Sequence, residues 1–190
     1  MLKVSERGLI PPFIVMDVMR AANERAATGE DVMHLEVGQP STPAPRRVLE
    51  AAKRALDTQV LGYTDALGIP PLREKIAGYY QTRYGLSIDP GRVVATTGSS
   101  GGFLLAFLSA FDVGEKVGLA TPSYPAYKNI LAALGLHAVD IPVGPSSHFQ
   151  PTTQLLEPYA SELDGLVVAS PSNPTGSMID SGGMKALASW

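Results

Sequence analysis

Two prolines bracket a single carboxamide in Ser170-Pro171-Ser172-Asn173-Pro174-Thr175-Gly176, directly after the apolar run Leu166-Val167-Val168-Ala169. The Asn173 side chain can accept a hydrogen bond with its carbonyl and donate two with its NH₂. Pro171 and Pro174 fix φ on either side, so the amide is aimed before any ligand arrives. Rigid presentation of a polar group at the end of a buried strand is how open α/β sheets build binding sites. A lone Asn-Pro pair would equally suit a proline-rich surface loop.

Three other stretches hold groups that could do chemistry. Thr96-Thr97-Gly98-Ser99-Ser100-Gly101-Gly102 stands where a strand would pass into a helix. Small residues let the backbone approach an anion there, helix-start N–H groups point at it, and the hydroxyls of Ser99 and Ser100 add donors. The same residue types also make an ordinary helix N-cap. The stretch has neither the Gly-Lys-Ser/Thr of a Walker loop nor a GxGxxG fingerprint. In Thr121-Pro122-Ser123-Tyr124-Pro125-Ala126-Tyr127, Tyr124 follows another strand candidate and offers a face on which a planar ligand could stack. A tyrosine that merely covers core is the plainer alternative. Gly62-Tyr63 to Leu72-Arg73 reads as an exposed loop entering a helix.

Composition narrows the classes. The chain has 190 residues, 45% hydrophobic and 17% charged, which describes one core-forming globular domain. A net charge of −3 without like-charge runs leaves no electrostatic footprint for nucleic acid. Cysteine is absent, and His34, His137 and His148 lack ligand spacing, so no metal site is expected. The most apolar stretch, Phe103 to Phe111, is too short to span a bilayer, and Met1 to Ile10 has no apolar signal core. These features lead to the expectation of a cytoplasmic protein with no membrane partner.

The elements that must position these groups follow from periodicity. Helices are predicted over Pro12–Ala27, Arg46–Leu56, Leu72–Arg83 (ending at Gly85), Phe103–Phe111 as a buried helix, Ala126–Leu134 with Gly135 as its left-handed cap, and from Asp180 onward. Strands are predicted at Met33–Val37, Val93–Thr96, Val117–Thr121, Val139–Pro142 and Leu166–Ala169. Strand–helix alternation from Arg92 onward predicts an α/β fold: a three-layer α/β/α arrangement with a largely parallel sheet, preceded by an N-terminal helical segment. Ala186 to Trp190 stops inside a helical pattern without a stop signal, which reads as a truncation with the sheet incomplete.

Taken in order, Val37-Gly38-Gln39-Pro40, Gly62-Tyr63 through Leu72-Arg73-Glu74, Thr97-Gly98-Ser99-Ser100, Pro122-Ser123-Tyr124 and Asn173-Pro174-Thr175-Gly176 resemble the fold type I, pyridoxal-phosphate-dependent aminotransferases of class I/II. The resemblance covers essentially the whole chain. It implies that residues 1–45 are an N-terminal segment contributing to a small domain. Residues 46–190 would be part of the large domain that binds pyridoxal 5′-phosphate, ending before the Schiff-base lysine. It implies that Gly98, Ser99 and Ser100 hold the cofactor phosphate, Tyr124 stacks on the pyridine ring, and Asn173 bonds the phenolic oxygen. Tyr63 would reach the phosphate of a neighbouring subunit, which implies a homodimer. Gly38 and Asn173 would meet the substrate, an amino acid or a 2-oxo acid, and the segment from Ile14 to Asp17 would line the entrance. Thr121-Pro122 and Asn173-Pro174 are expected to be cis.

The family's lysine, its aspartate at the pyridine nitrogen and its carboxylate-binding arginine would all lie beyond Trp190. No catalytic residue is therefore expected among these 190, and the stretch alone is expected to be inactive. Lys185 reads as a solvated helix lysine. Other readings are a non-catalytic interaction module, a carbon–sulfur lyase or a cyclopropane-forming synthase of the same fold. A nucleotide-binding module is a further one, but it lacks a well-placed acidic ribose partner, since Asp112 and Glu115 lie too near the turn and Asp140 is displaced.

Overall fold

The computed structural model describes residues 2–190. It divides into two compact units, one joining the segment up to Ile14 with Gly98–Trp190, the other formed by Val15–Thr97.

The second unit is helical. Helix α1 (Ile14–Ala27) enters it, followed by α2 (Arg46–Thr58) and α3 (Pro70–Tyr84). Two prolines begin α3, where the missing N–H groups cost nothing. Gly85 ends it at φ 69°, in the left-handed region that a side chain disfavours. The Arg73 Nε donates to the carbonyls of Pro90 (3.1 Å) and Val93 (2.9 Å), tying α3 to the segment that leads out of the unit.

Two strand expectations are corrected here. Met33–Val37, which bends at Glu36 and Val37, and Val93–Thr96 pair with no strand. Around the latter, Arg73 takes two of the carbonyls and Ala95 N–H bonds to the loop carbonyl of Leu67 at 2.9 Å, so no ladder repeats. An apolar run becomes a strand only when a neighbour offers a matching row of donors and acceptors.

The first unit holds the sheet. Strands β1 (Lys116–Thr121), β2 (His137–Pro142) and β3 (Gly165–Val167) are parallel in the order β2-β1-β3. Helices α4 (Gly98–Ala110), α5 (Ala126–Leu134), α6 (Thr153–Leu156) and α7 (Ser181–Ser189) flank them. The side-chain alternation of β1 sorts the helices into layers. Val117 and Leu119 face a cluster with Phe107, Tyr127, Leu131 and Leu136, the α4/α5 side. Ile141, Leu156 and Leu187 form the opposite cluster, the α6/α7 side. Val117, Leu119, Leu131, Ile141 and Leu156 are almost wholly buried, each contributing about 1.5–3 kcal/mol over its exposed state.

Helix α5 ends as its sequence predicts. Gly135 sits at φ 77°, its N–H bonds Ala132 O, and Leu136 N–H bonds Leu131 O, so a Schellman turn presses Leu136 and Leu131 into one cluster. Helix α4 differs from expectation. It starts inside the glycine-serine stretch, and of its apolar residues only Phe107 is fully buried, while Leu104, Leu105 and Leu108 are exposed. One face meets the sheet and the other meets no further layer among the described residues. The short α6 was not predicted; Thr152 caps it by accepting from Leu155 N–H.

Gly118 lies on the α6/α7 side of the central strand, where a Cβ would come within 2.9–3.0 Å of the terminal methyls of Ile141, Leu163 and Leu166. Gly118→Val should therefore destabilise the fold by about 1–3 kcal/mol through overpacking. A lowered urea midpoint at unchanged slope is expected, and an unchanged midpoint would show that this layer has room to spare.

Candidate active site

Parallel strands deliver their C-terminal ends to one edge of a sheet. Here Leu119 pairs with Asp140 on one side and Val167 on the other, so β1 and β3 leave the sheet side by side. After Thr121 the chain turns through Pro122 and Ser123 to Tyr124; after Val167 it runs through Ala169 and Pro171 to Asn173. The peptides Thr121-Pro122 and Asn173-Pro174 are cis as expected, and Ser170-Pro171 is cis too.

The start of α4 reaches the same edge. Phe111, just past the end of α4, stacks so tightly on Gly165 at the start of β3 that a Cβ there would strike its ring. Phe103, near the start of the helix, packs on Tyr127 beyond the end of β1, ring centroids 4.8 Å apart. Helix α4 therefore runs opposite to the strands and aims Gly98, Ser99 and Ser100 at the edge where Tyr124 and Asn173 emerge. Gly98 has φ 75° with open space where a side chain would stand, and the first turn contains no acidic residue. A 13-residue helix carries the positive end of its dipole at such a start, with no acidic side chain in the first turn to offset it.

Tyr124 is half-buried between two aromatic rings. Tyr127 meets it at 5.4 Å and 83°, Phe13 at 6.2 Å and 80°, both T-shaped. Each such contact is worth about 0.5–1.5 kcal/mol and fixes the plane of the ring. Burial, and then the neighbouring Tyr124, pushes the Tyr127 phenol above its ordinary value, so it stays neutral in this stack. Phe13 also lines an apolar cavity of about 440 Å³ with Ser100, Leu104, Ala126 and Ile130.

The Asn173 loop is cross-tied. Ser172 N–H donates to Ser177 O (2.9 Å) and Gly176 N–H to Ser172 O (2.7 Å). The Oγ atoms of Thr175 and Ser177 share a hydrogen bond of 2.9 Å, and Ile179 N–H donates to Ser170 Oγ at 2.9 Å. The Asn173 side chain itself is exposed. Sequence reasoning missed Gln150, which lies against both legs of this loop and is the one buried polar side chain among the described residues.

The structure thus gathers Gly98, Ser99, Ser100, Tyr124 and Asn173 at one sheet edge. Gly38 and Tyr63 belong to the other unit, both exposed. Lys185 is exposed on α7. Among the described residues no His, Asp or Glu cluster could hold a metal ion, and no helix is long and apolar enough to cross a membrane.

Open α/β sheets place their ligand sites where the parallel strands end, the edge at which these groups stand. Residues 30–190 match the family profile described as aminotransferase class I and II, and the chain belongs to that family. It is 54% identical over 188 residues to the valine–pyruvate aminotransferase of Mycobacterium tuberculosis, a match covering 99% of this chain and 48% of that protein. A crystal structure of an aminotransferase from Mycobacterium tuberculosis is similar at 53% identity and TM-score 0.95, over 100% of this chain and 49% of that one. The aspartate aminotransferase of Thermus thermophilus, solved with maleate, is similar at 30% identity and TM-score 0.92, over 100% of this chain and 50% of that one. The chain spans about half the length of the curated relatives it matches.

Asp140 braces the edge. Its carboxylate accepts from Thr121 Oγ1 and from Lys128 Nζ, both at 2.7 Å, linking the end of β1 to α5. Burial alone would raise its pKa, but the hydrogen bonds from Lys128 and Thr121 outweigh that and hold it below the usual carboxylate value. A lowered folded-state pKa adds stability above the unfolded value, and that stability is lost as pH falls through the folded one. The stability difference between wild type and Asp140→Asn should be largest near neutrality, at about 1 kcal/mol or less for so exposed a pair. It should shrink below about pH 4. Denaturant titrations at pH 7 and pH 3 test this, and a difference that does not change with pH would exclude the carboxylate as its source.

Proposed function

We infer that the protein transfers an amino group between an amino acid and a 2-oxo acid with pyridoxal 5′-phosphate as cofactor, working as a homodimer. What carries this reading is the meeting of an anion-receptive helix start, a braced aromatic ring and a cross-tied carboxamide at one sheet edge.

The donor set fits the cofactor part by part. The α4 start with Gly98, Ser99 and Ser100 would hold the phosphate: its first turn presents N–H groups and hydroxyls with no competing carboxylate. The Tyr124 ring, already fixed in plane, would support the planar ring from one face, and Asn173 would donate to the phenolic oxygen. Tyr63 would serve the phosphate held in a partner subunit, and the Gly38 backbone together with Asn173 would meet the substrate carboxylate. In this reading 46–190 forms part of the cofactor-binding domain and 1–45 belongs to a smaller one. When bound, the cofactor supplies a carbonyl that carries the amino group and a ring that takes up the electron pair released at Cα. The residues of this chain bind and orient; none of them serves as the proton-moving base.

The substrate pair we propose is valine with pyruvate. Its support is the 54% identity to a protein named for that reaction, against 30% to an aspartate aminotransferase.

The intact protein, incubated with pyridoxal 5′-phosphate and a panel of amino acids, should form alanine from pyruvate with valine as donor. A clear preference for aspartate would overturn the substrate assignment, and failure to bind the cofactor would overturn the whole reading. Ser100→Ala should weaken cofactor binding by roughly ten-fold or more, the loss of a hydrogen bond to a charged group. Tyr124→Ala should weaken it about as much, whereas Tyr124→Phe, which keeps the ring, should stay within a few-fold of wild type. Equal losses in both Tyr124 variants would mean that the hydroxyl, not the ring face, makes the contact.

A further inference from the structure

Gln150 is 4% exposed, and its surroundings are those of a clamp. The Nε2 group donates to Ser177 O at 2.7 Å, with Ser177 Oγ at 3.2 Å and Ala169 O at 3.3 Å. Two of these partners are carbonyl oxygens that can only accept, which settles the amide orientation. Ala169 lies on the leg leaving β3, and Ser177 on the returning leg, with Asn173 between them. Ser177 O also accepts from Ser172 N–H, so the same oxygen closes the loop and anchors it to Gln150.

The chain accepts backbone strain to put Gln150 there. The two residues before it, His148 and Phe149, have φ of 51° and 56°, a region non-glycine residues seldom occupy. They are held there by hydrogen bonds from His148 N–H to Pro145 O and from Phe149 N–H to Gly144 O. Residues held in such regions by their surroundings cluster at functional sites.

We propose that Gln150 is a positioning residue that holds both legs of the Asn173 loop and so sets the direction of the Asn173 carboxamide in the cofactor-free protein. The proposal rests on the reading of Asn173 as donor to the phenolic oxygen. Gln150 touches neither cofactor nor substrate and acts through Asn173. Met is close to Gln in length and volume but cannot donate, so Gln150→Met leaves Ala169 O unpaired and Ser177 O half-paired.

Two measurements on the intact protein test this. In the cofactor-free form, Gln150→Met should speed hydrogen exchange of the Ser172 and Gly176 amides by about ten-fold or more while the β1 amides stay protected. Unchanged exchange at Ser172 and Gly176 overturns the proposal. In the cofactor-loaded form, a hydrogen bond donated to an anionic oxygen favours its deprotonated state. Asn173→Ala should therefore raise the pH midpoint of the cofactor's visible absorbance by roughly one unit, as loss of a charge-assisted hydrogen bond would. Gln150→Met should shift it the same way by less, and the double variant should match Asn173→Ala alone. Additive shifts would show that Gln150 does not act through Asn173, and overturn the proposal. If Asn173→Ala leaves the midpoint unmoved, the reading of Asn173 fails, and hydrogen exchange alone decides whether Gln150 holds the loop. Should Gln150→Met not fold, Gln150→Glu replaces it: relative to wild type, exchange at Ser172 and Gly176 should be slower at about pH 4, below the ordinary glutamate value, where a protonated carboxyl can still donate, than at about pH 8. The same exchange rate relative to wild type at both pH values overturns the proposal.

Discussion

Everything at the candidate site depends on β1 lying between two parallel neighbours. Because Leu119 is level with both Asp140 and Val167, and β1 runs only two residues further to Thr121, the chain leaves β1 and β3 on adjacent tracks at the same end of the sheet. Strands in a sheet stand roughly 4.8 Å apart, so loops leaving neighbouring strands begin close together. A slip of one residue in either pairing would put side chains that belong in the α4/α5 cluster against the crowded α6/α7 side of the sheet. The burial that stabilises the register is thus also what sends the segments carrying Tyr124 and Asn173 out from one end of the sheet.

Holding groups there before a ligand arrives has a cost, which falls on separate local devices. Tyr124 is held by T-shaped contacts with Phe13 and Tyr127, and its plane needs no ligand to define it. Asn173 rides on a loop whose backbone groups bond to one another and to a buried amide. The Thr121 end of β1 is braced to α5 through Asp140 and Lys128. Each device uses a different interaction, so loss of one does not release the others, and affinity gained by such preorganisation comes from entropy already lost on folding.

Much of this was legible in the residues. The left-handed glycines Gly85 and Gly135 mark helix ends because only glycine adopts that conformation without strain, and the alternating rhythm after Arg92 indicated a parallel sheet. The loop groups were legible because an amide between prolines and a cluster of small residues suit few purposes. Extended segments were less so: Val93–Thr96 has the composition of a strand, but its hydrogen bonds go to Arg73 and to Leu67. Strand propensity reports a fit to a half-buried pleated surface, and whether a neighbour exists is a tertiary fact. Gln150 was invisible for a related reason. A single glutamine carries no periodicity, and its role comes from two carbonyls 19 and 27 residues further along the chain. Nor does anything in His148-Phe149 announce positive φ, since the conformation is imposed by the turn around them.

Helix α4 shows most clearly how local preference and function are traded. Its first turn, Gly98-Ser99-Ser100-Gly101-Gly102, is among the poorest helix-forming stretches available, each glycine costing about 0.8–1 kcal/mol relative to alanine. Its remainder, Phe103 to Ala110, is more apolar than one buried face requires, with Leu104, Leu105 and Leu108 left exposed. The two halves offset one another. Phe103 and Phe107 anchor the helix to Tyr127 and the sheet, Phe111 closes over Gly165, and that packing stabilises a first turn that would not hold on its own propensity. What the weak turn gains is access: without large side chains, another group can come close to its backbone at the edge where the strands end. A better helix former there, alanine or glutamate, would strengthen the helix while adding bulk or negative charge where the proposed cofactor phosphate would sit. The composition of α4 therefore follows from the sheet below it and, on the proposed function, from the phosphate it would receive.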